Sequence, residues 1–209
     1  MKRLGTIIFV FFQSMVFASG FVAGKDYEVL PNAPTSKPSK PAVVTEFFSY
    51  GCPWCYQLNK PLHDFIKKQG NEVKLKQVPV LFQPGWNVYA KAYYAAKRLN
   101  KLDTLSPALF KAIQEDKKKL DNDKAMVAFF IEHGVDKETA ESAFYRSPTI
   151  DADVTQGSLA MVKYRIRGVP AVIVNDRYKL DLSMAGKVDR FFAILDFLIH
   201  RDDGNGAKQ

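Results

Sequence analysis

The chain has 209 residues, 47% hydrophobic and 25% charged, a globular composition sufficient for one compact domain with an insertion or for two small ones. Its formal net charge of +8 is spread along the sequence, with one cluster at Lys117-Lys118-Lys119. No aromatic–basic motif accompanies that charge, so nucleic-acid binding is set aside and the charge reads as solubility and weak attraction to anionic surfaces. A zinc site is set aside too: it wants four ligands, and His63, His133 and His200 stand at no ligand spacing from the two cysteines.

Residues 1–20 read as a secretory signal peptide. Met1-Lys2-Arg3 is basic, residues 4–17 are apolar apart from Gly5, Thr6, Gln13 and Ser14, and Ala18-Ser19-Gly20 is small. The run is short for a membrane span, which takes about 20 residues; an uncleaved anchor is the alternative. Cleavage after Ala18, Gly20 or Gly24 fits, with Gly20 preferred because Ala18 then stands at −3. Losing Lys2 and Arg3 leaves a net charge of +6.

Residues 21–41, rich in Pro and Lys (Pro31, Pro34, Pro38, Pro41), predict an extended arm with a short strand around 27–30. Residues 42–49 are β-branched, aromatic and nearly all apolar, the pattern of a strand buried on both faces. The next helix is predicted over 53–69, with Pro53 near its first position, where a missing N–H costs nothing, and Gly70 as its stop. Pro61 inside it predicts a kink. Residues 73–81 alternate as a second strand.

Helical spacing then dominates: 89–102, 106–119, 123–133, 137–146 and 152–164, with Gly134 and Asp136 as C-cap and N-cap between the third and fourth. A hairpin follows, 171–174 and 178–180 around Asn175-Asp176-Arg177. An amphipathic helix over 187–199 and a disordered tail over 202–209 complete the chain. Met126, Phe129, Phe130 and Ile131, like the 191–195 run, have core spacing rather than a cofactor box. The fold class is therefore α/β, a mixed sheet with helices on both faces, built from residues 42–88 and 167–201 and interrupted by a helical insert over 89–166.

The chemistry is carried by Cys52-Pro53-Trp54-Cys55, directly behind the predicted strand, which holds the only two cysteines of the chain. Both sulfurs then fall in the first helical turn. The first faces the unpaired N–H groups and positive dipole end, which favour thiolate. The second is placed to attack a mixed disulfide on the first. A purely structural bridge is the alternative, but a two-residue loop constrains the unfolded chain little. Export would place the pair where a disulfide persists.

This layout resembles the DsbA family of exported thiol–disulfide oxidoreductases, in the thioredoxin superfamily. The resemblance covers nearly all of the mature chain and is most specific over residues 46–57, from Glu46 through Cys52 and Cys55 to Gln57, and in Arg167-Gly168-Val169-Pro170-Ala171, with Val174-Asn175 and Tyr178 after it. It implies a thioredoxin-like sheet and a catalytic pair in which Cys52 is the exposed sulfur and Cys55 its buried partner, with no further cofactor. It also implies a cis-Pro170 loop whose Val169 backbone receives an extended substrate beside Pro53 and Trp54. A trans turn proline is the other reading of Pro170.

Glu46, an acid in an apolar run, is a candidate proton relay for the inner cysteine; its alternative is a strand-end carboxylate reaching water or a lysine. Two departures from the best-known members stand out. They carry a lysine where Gln77 falls, and Lys76 points to the other strand face, which leaves the partner of Glu46 open. They also carry histidine where Trp54 stands, and a neutral indole predicts a less acidic Cys52. The resemblance further implies unfolded, reduced polypeptides as substrates, a DsbB-like membrane re-oxidant, a periplasmic address and a monomer. A disulfide isomerase or reductase, or a non-catalytic peptide-binding chaperone, are the competing functions. His63 reads as a surface residue, and the 86–94 segment as packing within the insert or one wall of a substrate groove.

Overall fold

The computed structural model describes residues 20–36 and 40–201. The leader expected over 1–20, apart from Gly20, and the tail expected over 202–209 lie outside the described residues.

Five strands form one mixed sheet: β1 (Glu28–Val29), β2 (Ala42–Phe48), β3 (Val73–Pro79), β4 (Ala171–Val174) and β5 (Tyr178–Asp181), in the order β1-β5-β4-β2-β3. Only β2 and β3 run parallel. Every residue of the interior strand β2 except Val43 is buried, which is why its sequence runs apolar instead of alternating. The helix α1 (Pro53–Lys68) links β2 to β3, as a parallel pair requires. Five further helices fill the chain between β3 and β4: α2 (Trp86–Arg98), α3 (Leu102–Gln114), α4 (Asp123–Glu132), α5 (Lys137–Tyr145) and α6 (Pro148–Lys163). The short α7 (Leu182–Ala185) and the long α8 (Val188–His200) follow β5.

The core lies on both sheet faces. Val44, Val172, Val174 and Leu180 pack against Leu58 and Leu62 of α1 and Phe191, Ile194, Leu195 and Leu198 of α8. Phe47, Ala171 and Ile173 pack on the opposite face with Tyr164 and Ile166. A third cluster joins the helical block to Phe48, Tyr50 and both cysteines, so the reactive turn is set into the seam between sheet and helices. Met126, Phe129 and Phe130 are core as expected, but Ile131 points outward and is 39% exposed.

Several helix boundaries differ from the sequence reading. The first two helices of the block begin three to four residues earlier than predicted, at Trp86 and Leu102. Ser106-Pro107 looks like an N-cap and first helical residue, yet Pro107 lies inside α3. The preceding helix ends at Arg98 rather than at residue 102, and Asn100 just beyond it takes a φ of 54° that lets Lys101 N–H close back on the Ala96 carbonyl at 2.8 Å. The end of α4 at Gly134 (φ 80°) and that of α6 at Arg165 (φ 51°) close the same way. The second strand stops at Pro79 rather than at residue 81. No sequence signal was read for α7, which Asp181 caps by accepting the Met184 N–H at 3.0 Å.

The hairpin is as predicted, and Asn175 and Asp176 both take left-handed backbone (φ 52° and 55°). Asn175 also fastens it to β2, its side-chain oxygen accepting the Val43 N–H at 2.7 Å. The arm before β2 is docked: β1 pairs with β5, and Arg190 pairs with Asp26 at 2.5 Å.

Candidate active site

The site grows out of the end of β2. Past Phe48 the chain turns through Ser49-Tyr50-Gly51, with the Cys52 N–H donating to the Ser49 carbonyl at 3.1 Å and the Gly51 N–H to the Ser49 hydroxyl at 3.1 Å. Cys52 is the N-cap of α1: its backbone is extended (φ −95°, ψ 114°), and its sulfur accepts the Cys55 N–H at 3.1 Å. Pro53 occupies the first turn, where no N–H is wanted. A cysteine thus does what serine or aspartate does at other helix starts, and the orphan N–H groups and helix dipole face a sulfur.

The helical block holds this turn in place. The Tyr50 hydroxyl donates to the Ser106 oxygen at 3.0 Å, and Gln114 Nε2 donates to the Tyr50 carbonyl at 2.6 Å, both partners lying on α3. Phe110 packs its ring against Phe48, Tyr50 and Tyr56, and the Tyr56 hydroxyl donates to Glu115. Ser106 and Gln114 are not marked as supports by the sequence, because a polar residue on a helix reads as solvent-facing until its partner is known.

Trp86 lies against Gly51, where a Cβ would stand 2.4 Å from the indole Nε1. The aromatic start of α2 therefore buttresses the reactive turn, while Tyr89, Tyr93 and Tyr94 are packed inside the block. Gly51→Ala is expected to push Trp86 aside and cost about 1–3 kcal/mol of stability, the usual range for overpacking. Denaturant unfolding with Trp fluorescence would read both effects; an unchanged midpoint and spectrum would refute the contact.

The two sulfurs are unequal, and neither is open. Cys52 is 6% exposed and Cys55 0%. The expectation of an exposed Cys52 is therefore corrected: it is largely buried, set between the start of α1, which it caps, and the backbone of Val169. The Cys52 sulfur lies 3.5 Å from the Val169 carbonyl, and the Val169–Pro170 bond is cis as expected. The two residues between the cysteines, Pro53 and Trp54, are exposed, Trp54 at 58%.

The electrostatics follow from these positions. Cys52 is held below the ordinary thiol range, first by a hydrogen bond from the Cys55 side chain and then by the backbone N–H groups of Cys55 and Trp54, against partial burial. Cys55 is pushed far above that range, first by burial and then by its hydrogen bond to Cys52 and that group's charge. Glu46 is 1% exposed. Burial pushes its carboxyl up to about 7, opposed by a hydrogen bond from Gln77 and assisted by the negative charge of Cys52. Its partner is thus Gln77, its register mate on β3, whose Nε2 donates at 2.7 Å. Among the described residues no lysine pairs with Glu46, and Gln77 stabilises its charge less than an ammonium would. On β2 it shares a face with Val44 and Phe48, two residues to either side, which places it on the strand face toward α1 and the cysteines.

A cavity of about 620 Å³ opens beside the dithiol, lined by Trp54, Val169, Pro170, Leu182, Val188 and the charged residues around them. His63 takes no part in the site and lies on the exposed side of α1.

A cysteine-capped helix start facing a cis-proline loop is the geometry of thiol–disulfide exchange, and sequence and structure comparisons agree. The family model for DSBA-like thioredoxin domains matches residues 43–197. The chain belongs to that family. It is 35% identical over 178 residues to the thiol:disulfide interchange protein DsbA of Burkholderia cepacia, covering 85% of this chain and 84% of that one. It is 32% identical over 192 residues to the DsbA of Pseudomonas aeruginosa, covering 91% and 90%. The crystal structure of Pseudomonas aeruginosa DsbA superposes with a TM-score of 0.78 at 31% identity, over 86% of this chain and 93% of that one. A Proteus mirabilis DsbA solved with a non-covalently bound peptide superposes at 0.69 with 26% identity, over 88% and 100%. The protein is a disulfide-introducing thiol–disulfide oxidoreductase of the DsbA type with a thioredoxin-like fold.

Proposed function

We propose that Cys52 and Cys55 are the redox pair of this enzyme, that Glu46 carries the proton of Cys55, and that Val169, Pro170, Trp54 and Pro53 form the bed on which a substrate cysteine lies. The observation that carries this reading is the Cys52 sulfur at the helix cap, 3.1 Å from the Cys55 N–H and 3.5 Å from the Val169 carbonyl.

A substrate thiolate attacks Cys52 of the Cys52–Cys55 disulfide. The new sulfur–sulfur bond joins substrate and Cys52, and Cys55 leaves as a thiolate that takes a proton from Glu46. A second substrate thiolate attacks the substrate sulfur of the mixed disulfide and expels Cys52. The substrate leaves with a disulfide, and the protein keeps both electrons as its dithiol. The low Cys52 pKa makes Cys52 a good leaving group and stabilises the reduced protein, so the exchange runs toward substrate oxidation. Mixing the oxidised protein with a reduced, unfolded protein rich in cysteine tests this directly. One enzyme dithiol should appear for each substrate disulfide; suppressed aggregation without transfer would favour a chaperone instead.

The substrates are taken to be reduced, unfolded polypeptides, in keeping with a DsbA of Proteus mirabilis solved with a peptide. The working site would be the periplasm, reached through the leader over 1–20, with a DsbB-like membrane protein restoring the disulfide to a monomeric enzyme. Among the described residues no helix is long and apolar enough to cross a membrane. In this reading residues 42–88 and 167–201 form the thioredoxin-like domain and 89–166 its insert.

Trp54 sets the strength of the couple. Its indole brings no positive charge to Cys52, so Trp54→His is expected to lower the Cys52 pKa and make the disulfide more oxidising, by about 30 mV for each tenfold gain in the equilibrium with glutathione. Thiolate absorbance titration and a glutathione redox titration measure the two. Equal values in both proteins would remove Trp54 from that role.

A further inference from the structure

Two neighbouring cavities meet at one arginine, and their charges are out of balance. The groove beside the dithiol is lined at its rim by Arg167, Lys187 and Asp181. A second cavity of about 540 Å³ is lined by Leu81, Met161, Val162, Ile166, Arg165 and again Arg167, with no carboxylate in its wall. Asp181 is engaged: its Oδ1 accepts the Met184 N–H at 3.0 Å and the Ser183 hydroxyl at 2.5 Å, as the cap of α7. Arg167 and Lys187 are both exposed. Among the described residues neither makes an ion pair, unlike Lys91, Arg98, Lys111 and Lys163 elsewhere in the molecule. A ligand in the groove would meet an apolar floor of Trp54, Val169, Pro170, Leu182 and Val188 under a positive rim.

We propose that Arg167 and Lys187 select polypeptides carrying an acidic side chain next to the reacting cysteine, so that the substrate class is an apolar segment with aspartate or glutamate flanking its thiol. The proposal rests on the oxidoreductase reading and deepens it. Charge at such a rim acts on encounter and register more than on total affinity, and a solvent-exposed pair contributes modestly. Two cations against one side chain are therefore expected to give about a fivefold preference, ~1 kcal/mol, and to lose most of it when salt shrinks the screening length from about 10 Å at 0.1 M to about 3 Å at 1 M.

The test uses the oxidised full-length protein and three synthetic dithiol peptides, identical except for Asp, Asn or Lys beside the reacting cysteine. Each rate of disulfide transfer is divided by the rate of the same peptide with bis(2-hydroxyethyl) disulfide, a neutral reagent that corrects for the effect of the flanking charge on the thiol itself. The expected order is Asp over Asn over Lys, about fivefold at each step at low ionic strength and flattened in 1 M salt. In the double variant R167E/K187E the order should invert. Equal normalised rates for the three peptides, or an order that survives the double variant, would overturn the charge selection while leaving the oxidoreductase intact. Transfer to none of the peptides would overturn the oxidoreductase reading itself.

Discussion

Serine in place of Cys52 is expected to bring substrate oxidation down to the rate of substrate alone, while serine in place of Cys55 is expected to stall the enzyme with its substrate attached. The asymmetry follows from burial. Cys55 is wholly enclosed and held far above the ordinary thiol range, so no substrate sulfur approaches it and it is seldom an anion. Cys52 sits at the helix cap, keeps 6% exposure where Cys55 has none, and has its thiolate favoured by the Cys55 side chain and by N–H groups. With Cys52 gone, no accessible sulfur remains. With Cys55 gone, the mixed disulfide on Cys52 can be opened only from outside, and it should accumulate. Non-reducing gels of each variant incubated with a mixed-disulfide donor would read the outcome. A covalent adduct on the Cys52→Ser protein, or equal activity in both variants, would reverse the assignment of roles.

The second large effect concerns Glu46. Its carboxyl ordinarily titrates at 4.5 and is raised to about 7 in the folded protein, burial being the main cause. The folded state therefore keeps a proton that the unfolded state releases between those two values. Stability is at its best below the lower value, declines as pH rises through the window, and levels off above 7. A difference of this size corresponds to about 3 kcal/mol. Glu46→Gln removes the titration and leaves a partner for the Gln77 amide, so it is expected to match the parent near pH 4 and to be more stable by about 3 kcal/mol at pH 8. Chemical denaturation of the reduced proteins at both pH values checks the sign and the size. The same variant should exchange disulfides more slowly, because Cys55 loses the nearby group that can take or return its proton. A stability gain equal at both pH values would mean that the Glu46 carboxyl titrates alike in the folded and unfolded chain, and the relay would fail with it.

Keeping such a residue in a buried interior strand is a cost that packing alone would not retain. A leucine at position 46 would satisfy the apolar surroundings of β2. The proposed relay gives the carboxylate a reason to be there: it lies on the α1 side of the strand, where in that reading Cys55 gains and loses a proton in every cycle.

Much of this was legible in the chain itself. Local rules carried β2, the hairpin, the cap at Cys52, the stop at Gly70, and the pairing of Gly134 with Asp136, because each depends on residues within one turn of one another. The cis-Pro170 loop and the buried Glu46 came from the residues around them, read through resemblance to a family. What stayed out of reach was long-range. Gln77 as the partner of Glu46 depends on the register of two parallel strands joined by a 16-residue helix. Ser106 and Gln114 hold the reactive turn from a helix more than fifty residues away. The start of α3 was misjudged because Ser106-Pro107 imitates a cap that the helix does not use.

By itself, the sequence determined that two sulfurs share a helix start behind a buried strand, since the spacing of Cys52 and Cys55 and the character of β2 require nothing distant. Only the tertiary structure decided how little of Cys52 reaches solvent, which backbone carbonyl faces it, and which amide answers Glu46. Those depend on how a sheet, a helix and a loop from opposite ends of the chain pack at one point, and side-chain patterns within a segment carry no record of what another segment will bring there.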